Sequence, residues 1–325
     1  MGKQILVVGG AGYIGSHCVR DLLDQGAEVV VFDDLSTGHS EAVTCELVEG
    51  DIRDPNALDR AFAGHQFDAV MHFAAKSLVG ESVHNPLHYF DVNVRGTITL
   101  LEAMRKAEVL NLVFSSTCAV YGDPDRLPLD ESHPQRPVSP YGASKKMVEE
   151  VLRSASDQHG FRIASLRYFN AAGAHPDGTL GESHNPETHL IPLALDALLG
   201  RRPALKLFGR DYDTRDGTCV RDYIHILDLA LAHRQAADYL VGGGASGAWN
   251  LGTGNGTTVL EILESIERVT GQAVPYEDAP RRDGDPPGLY ASAEAAKRTF
   301  GWEPRFAGVD DIVSTAWQWS QAPRY

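Results

Sequence analysis

Cysteine is scarce: Cys18, Cys45, Cys118 and Cys219 lie far apart among 325 residues, with no C-x-x-C pair. That pattern argues against a disulfide framework or a cysteine zinc site and predicts reduced, mostly buried thiols; no metal is expected. Basic residues are also in deficit. Twenty-nine Lys and Arg face 44 Asp and Glu, a net charge of -15, so a nucleic-acid backbone is not expected as a partner. No stretch approaches the ~20 apolar residues of a membrane span, and no membrane partner is expected. The apolar run Gln4-Ile5-Leu6-Val7-Val8 is too short for a secretory signal and ends in glycines, so the expected location is the cytoplasm. Internal repeats and low-complexity tracts are missing. What remains has the composition of a soluble globular protein, long enough for one large core or for two domains sharing an interface.

Short apolar runs alternate with helical stretches through the first half. Ile5 to Val8, Val29 to Phe32, Val70 to Phe73, Leu112 to Phe114 and Ile163 to Leu166 read as buried strands. Ser16 to Gln25 and Val92 to Lys106 read as amphipathic helices between them. This alternation predicts an α/β fold, a doubly wound parallel sheet covered by helices on both faces. After Tyr168 the rhythm breaks. His175 to Glu187 and Asp278 to Gly288 read as loops, Leu193 to Leu199 and Val259 to Arg268 as helices, and Ala248 to Gly252 as a strand returning to the main sheet. The expected layout is a nucleotide-binding domain, residues 1–170 plus about 222–252, and a smaller substrate-binding lobe, about 171–221 plus 253–325.

Gly9-Gly10-Ala11-Gly12-Tyr13-Ile14-Gly15 follows the first strand and opens the first helix. Glycines at 9, 12 and 15 permit a tight turn, close approach to a pyrophosphate and close helix–strand packing, with the helix N-terminus facing the phosphates. Asp33 ends the second strand, about 20 residues into the motif, where a carboxylate accepts from ribose hydroxyls. A 2'-phosphate there would be repelled by Asp33 and Asp34, and Leu35 to Gly38 offers no arginine, so NAD is favoured over NADP. Asp51 ends the third strand, and Phe73-Ala74 the fourth. Thr117 closes the fifth, placing a hydroxyl at the carboxyl end of the sheet, where ligands bind in such folds.

Tyr141 and Lys145 are the most telling pair. Ser139 is a helix N-cap and Pro140 a first helical residue, so Tyr141 and Lys145 share a face one turn apart. A free phenol titrates near ~10, and a neighbouring ammonium would lower it. The pair is expected to let tyrosine exchange protons with an alcohol or sugar hydroxyl.

Together these segments resemble the extended short-chain dehydrogenase/reductase family over nearly the full length. The match runs through the glycine motif, the acid after strand two, Ser115-Ser116-Thr117, Tyr141-x-x-x-Lys145 and Arg167-Tyr168-Phe169-Asn170. Finer signals are Val79-Gly80-Glu81-Ser82, Asn170 to Pro176, Asp216 to His225 and Pro280-Arg281-Arg282. These are most similar to members that interconvert UDP-glucose and UDP-galactose at C4. The resemblance implies a Rossmann-type sheet and tightly bound NAD, contacted by Tyr13, Ile14, Asp33, Asp51, Ile52, Phe73, Ala74, Asn93, Lys145 and Phe169. It implies Tyr141 as general base, Lys145 as its electrostatic partner and Thr117 in place of the family's serine. It implies UDP-sugar contacts at Asn170, Arg221, Arg282 and Asp285, with His189 and Leu190 as further candidates, and a sugar-pocket gate at Leu289. A homodimer would pair through the helices near Val92 to Lys106 and Tyr141 to Arg153; with Val148 and Val151 packed internally instead, a monomer would fit as well.

The implied reaction is transient oxidation at C4 through a 4-keto sugar, followed by hydride return to the opposite face. A 4,6-dehydratase shares the fold, but its family places Asp-Glu after the active-site Thr, where this chain has Cys118-Ala119. A net dehydrogenase and a catalytically silent NAD-binding regulator are further alternatives. N-acetylhexosamine, uronate or pentose substrates also remain open. Three departures stand out, the first being Val92, where the family often has an asparagine near the cofactor, with Asn93 next. His189 precedes Leu190-Ile191-Pro192 where the family often has Asn before Leu-Met-Pro, and the family's Leu-Lys pair is replaced by Lys76-Ser77.

Overall fold

The computed structural model describes residues 2–282, 285–306 and 308–325. Seven parallel strands form the central sheet: β1 (Gln4–Val8), β2 (Glu28–Asp33), β3 (Glu46–Glu49), β4 (Ala69–His72), β5 (Asn111–Ser115), β6 (Arg162–Arg167) and β7 (Gly247–Asn250). Their order is β7-β6-β5-β4-β1-β2-β3. The order reverses between β1 and β4, which opens a crevice at the carboxyl ends of the strands.

Strand pleating explains the unbroken apolar runs. Ile5, Val7, Val29 and Val31 enter one core, with the helices Tyr13–Asp24 and Ile226–Val241. Leu6, Val8, Val30 and Phe32 enter the other, with the helices Pro55–Phe62, Gly96–Lys106 and Pro140–His159. Successive side chains alternate faces and both faces are covered, so the runs from Ile5 to Val8 and from Val29 to Phe32 stay apolar throughout.

Outside the sheet, a third core joins the helices Leu190–Leu198, Val259–Thr270 and Val309–Gln321 through Ile191, Leu195, Ile262, Ile266, Ile312 and Val313. Short strands link the two regions. Asn170–Ala172 pairs with Tyr223–His225, and Val220–Arg221 lies between Thr257–Thr258 and Gly288–Leu289.

Several boundaries differ from expectation. The segment expected as a helix from Val92 begins as a π-helical stretch, Phe90–Arg95, and becomes α-helical at Gly96. The helix expected at Leu193 starts at Leu190, because Pro192 sits in its first turn, where no intrahelical N–H bond is required of it. The expected 278–288 loop loses its first residues to the strand Tyr276–Ala279 and its last to Gly288–Leu289; residues 283 and 284 lie outside the described residues.

Candidate active site

The crevice leads into a cavity of about 1420 Å³ lined from both regions of the chain. Gly9, Gly12, Tyr13, Ile14, Gly15, Asp33, Asp34, Asp51, Ile52, Phe73 and Ala74 line one side. Thr117, Tyr141, Lys145, Phe169 and Asn170 line the middle, and His189, Arg221, Arg282, Asp285 and Leu289 the far side. Two expected residues are not on this surface. Asn93 is buried beneath it, its Oδ1 accepting from the Lys76 amide at 2.8 Å and its Nδ2 donating to Ser144 Oγ at 2.9 Å. Leu190 packs on the third core, and Leu193, three residues on, reaches the cavity instead.

Local chemistry builds the nucleotide side. A Cβ on Gly15 would lie 2.1 Å from the Gly9 carbonyl oxygen, so only glycine lets the helix start this close to β1. A Cβ on Gly12 would meet only that oxygen, at 3.6 Å, and would otherwise stand in the cavity, at the helix N-terminus that favours phosphate. Asp33 accepts from the Ala11 and Leu35 amides, both at 2.9 Å, so it also ties the glycine turn to its neighbour. Burial raises its pKa, against those amide bonds. Asp51 is paired with Arg53, which holds its carboxyl below the usual range.

At the head of the helix Pro140–His159, Ser139 Oγ accepts from the Gly142 amide at 3.1 Å, as a cap should. Tyr141 projects into the cavity beside Thr117. Lys145 does not lower the phenol as expected: burial pushes Tyr141 up to about 12, with the Thr117 hydroxyl pulling the other way. The Lys145 ammonium instead donates to the Ser115 carbonyl at 2.9 Å and lies 4.7 Å from the Phe114 ring centroid. Burial lowers Lys145 to about 7, with Glu149 opposing.

Glu149 was not singled out from the sequence, although its place four residues after Lys145 puts it on the same helix face. It accepts from Ser116 Oγ at 2.6 Å and from Arg167 Nε at 2.9 Å, and Arg167 also donates to Tyr121 Oη at 2.8 Å. The Arg167 and Glu149 side chains are only 6% and 10% exposed. This buried pair sits under the strand end that carries Thr117.

On the far side, Arg221 is paired with Asp285, and the Arg282 guanidinium lies 4.1 Å from the Phe208 ring centroid. Leu289 pairs in register with Arg221 and lines the cavity, whereas Tyr290 turns away to pack at Gly256. Glu182, His184, Glu187 and His189 line the same wall; of these only His189 was expected. Burial disfavours charge on the two imidazoles, but the two carboxylates outweigh it and raise His184 to about 9 and His189 to about 10. A loop reading Glu-x-His-x-x-Glu-x-His carried this signal.

The chain matches the family model described as GDP-mannose 4,6 dehydratase over residues 6–315. It is 54% identical over 318 residues to a UDP-glucose 4-epimerase of Rhizobium meliloti, covering 98% of this chain and 97% of that one. The chain belongs to the UDP-glucose 4-epimerase family. Among solved structures, the Brucella ovis UDP-glucose 4-epimerase in complex with NAD is 49% identical, with a TM-score of 0.95 over 97% of both chains. The UDP-Glc/GlcNAc 4-epimerase of Campylobacter jejuni is 41% identical, with a TM-score of 0.86 over 98% of this chain and 99% of that one. Although the matching family model carries a dehydratase's description, Cys118 and Ala119 line the cavity after Thr117, and neither can do a dehydratase's carboxylate chemistry.

Proposed function

We propose that this protein interconverts UDP-glucose and UDP-galactose by inverting C4 with tightly bound NAD. One observation carries the reading. A single cavity joins a glycine-turn dinucleotide wall, the Tyr141–Thr117 pair and the guanidinium groups of Arg221 and Arg282. NAD fits because Gly12 leaves its Cβ space to the cavity and Asp33 stands at the ribose end of the turn. When bound, it supplies a reversible hydride acceptor and a positively charged ring. The chain's own residues do the rest. Tyr141 Oη takes the proton of the sugar 4-hydroxyl and returns one to the epimer, with Thr117 Oγ1 holding that hydroxyl in reach. Arg221 and Arg282 hold the diphosphate as forked donors while the sugar turns. Asp285 would give up part of its hold on Arg221 as the diphosphate arrives. Asn170 and His189 complete the sugar-nucleotide wall. The proposed division is a nucleotide-binding domain and a smaller substrate-binding lobe, supported by the separate third core.

Purified protein given UDP-galactose should produce UDP-glucose with no NAD added. Accumulation of free NADH, or of a 6-deoxy-4-keto sugar, would overturn the reading in favour of a dehydrogenase or a dehydratase.

Leu289 borders the sugar end, and its intermediate size supports the glucose/galactose pair as the main substrates, with UDP-N-acetylhexosamines turned over more slowly. Leu289→Tyr should cut the activity on UDP-N-acetylglucosamine relative to UDP-glucose by about 10-fold or more, as filling a pocket by several heavy atoms does. An unchanged ratio on the two substrates would show that the gate lies elsewhere.

A homodimer has a surface available. Val83, Leu87, Ile98 and Met147 are exposed on neighbouring helices of one flank, whereas Val148 is buried in the core. A sedimentation mass of one chain would exclude it. Four free cysteines fit a reducing compartment, the cytoplasm, and no helix among the described residues is long and apolar enough to cross a membrane.

A further inference from the structure

Glu182, His184, Glu187 and His189 lie in the eight residues that end at the N-cap of the helix Leu190–Leu198. Among the described residues they are the one group of three or more such side chains whose ligand atoms all lie within 4.8 Å of one another. We propose that these four side chains bind a divalent transition-metal ion, with Zn²⁺ the best fit.

The donor set comes first. Two imidazole nitrogens and two carboxylate oxygens suit Zn²⁺, whereas Mg²⁺ and Ca²⁺ want oxygen alone. The spacing agrees. His189 Nδ1 is 2.8 Å from Glu182 Oε1 and 3.0 Å from Glu187 Oε1. His184 Nδ1 is 3.3 Å from Glu182 Oε1 and 3.5 Å from Glu187 Oε2. A tetrahedral ion with bonds of about 2.0–2.2 Å separates its ligand atoms by roughly 3.3–3.6 Å. The four His–Glu spacings fall within about 0.5 Å of that range, and the remaining two, imidazole to imidazole and carboxylate to carboxylate, are within 4.8 Å, so small side-chain adjustments would close the shell.

Hydrogen bonding alone does not account for the arrangement. Of the four contacts, only His189 Nδ1 to Glu187 Oε1 has hydrogen-bond geometry. The Glu182 side chain is 6% exposed, and its Oε1 has no hydrogen-bond partner; His184 Nδ1, also buried, has none. Glu182 Oε1 faces both imidazoles, and His184 Nδ1 both carboxylates, at 2.8–3.5 Å without aligning on them. Buried polar atoms without partners are rare, and an ion they jointly coordinate is one of the few explanations.

Four protein ligands close a tetrahedral shell, so the site is structural rather than catalytic. It would clamp the irregular 173–189 segment to the helix that follows. It would also act on the glycine turn: the His184 ring meets Tyr13 edge-on at 6.1 Å, and the two carboxylates raise the Tyr13 phenol after burial does. The competing account is a pair of His–Glu ion pairs with protonated imidazoles and no metal.

Metal content decides between them. The full chain is stripped with a chelator, loaded with Zn²⁺ and passed through gel filtration, and the retained metal is measured by mass spectrometry. One ion per chain is expected, with an upward shift of the thermal midpoint on loading. His184→Ala and Glu187→Gln should each weaken Zn²⁺ binding at least about tenfold, since even outer-shell changes at metal sites cost that much. Should either variant fail to fold, the wild-type chain titrated with Co²⁺ still answers, because a four-coordinate shell gives intense visible bands and an octahedral one gives weak bands. Retention well below one ion per chain, metal content unmoved in both folded variants, or a weak octahedral Co²⁺ spectrum would each overturn the proposal and leave the ion pairs. None of these readouts depends on epimerase turnover, so the site can fail without touching the proposed function.

Discussion

Tyr141→Phe should lower kcat for UDP-galactose by about 10²–10⁴-fold, the range for losing a general acid–base group. The substitution keeps the ring and removes the one atom that exchanges the proton. The phenol lines the cavity wall next to Thr117. Its second role, a hydrogen bond to the substrate, is worth far less. One neutral hydrogen bond contributes about 0.5–1.5 kcal/mol, so KM should move by no more than about tenfold. The expected signature is therefore a loss in kcat that outweighs any change in KM, measured by steady-state kinetics with coupled detection of UDP-glucose. A variant within threefold of wild type in kcat would show that another group moves the proton. The phenol held at about 12 in the chain alone makes the test sharper. Burial disfavours the phenolate, and positive charge arriving with the ligands would favour it.

Glu149→Ala should destabilise the fold by about 3–5 kcal/mol, the range for breaking a buried ion pair from one side. Arg167 is almost fully buried, and Glu149 is its only carboxylate partner among the described residues. Truncation leaves the guanidinium with the Tyr121 hydroxyl and no counter-charge. Ser116 loses the acceptor of its hydroxyl as well. Lys145, already lowered to about 7 by burial, loses the carboxylate that favours its charged form, so activity should fall alongside stability. Urea unfolding followed by circular dichroism measures the effect. Exchanging both partners for apolar side chains, as in Glu149→Leu with Arg167→Met, should cost less than the single truncation, because no charge is stranded. A loss under about 1 kcal/mol for Glu149→Ala would mean that water reaches the pair.

The parts of this protein written in local patterns were legible from the chain alone. The strands β1, β2, β4, β5 and β6, the return of Ala248 to the main sheet, the glycine turn and the Ser139 cap need only strand alternation, helix spacing and backbone sterics. These act between residues a few positions apart. Tyr141, Thr117 and Asp33 are nameable because they sit at fixed offsets within such patterns, and Arg221, Arg282 and Leu289 because their segments resemble the family's; the structure brings all six to one cavity.

What the chain could not decide by itself is set by distance through space. The Lys145 ammonium shares a helix face with Tyr141, as its spacing says, yet bonds the Ser115 carbonyl because β5 ends beneath it. Burial, a property of the whole packed molecule, then sets the direction in which the phenol titrates. Asn93 and Leu190 carry the right residue types but face away from the cavity, since the turn of the helix around each one decides its exposure. Glu149 meets Arg167 across 18 positions. The Glu182–His189 cluster forms only when its loop folds back on itself. Local sterics are encoded residue by residue, whereas charge, burial and metal-ligand geometry depend on which segments the fold sets side by side, and that only the tertiary structure decides.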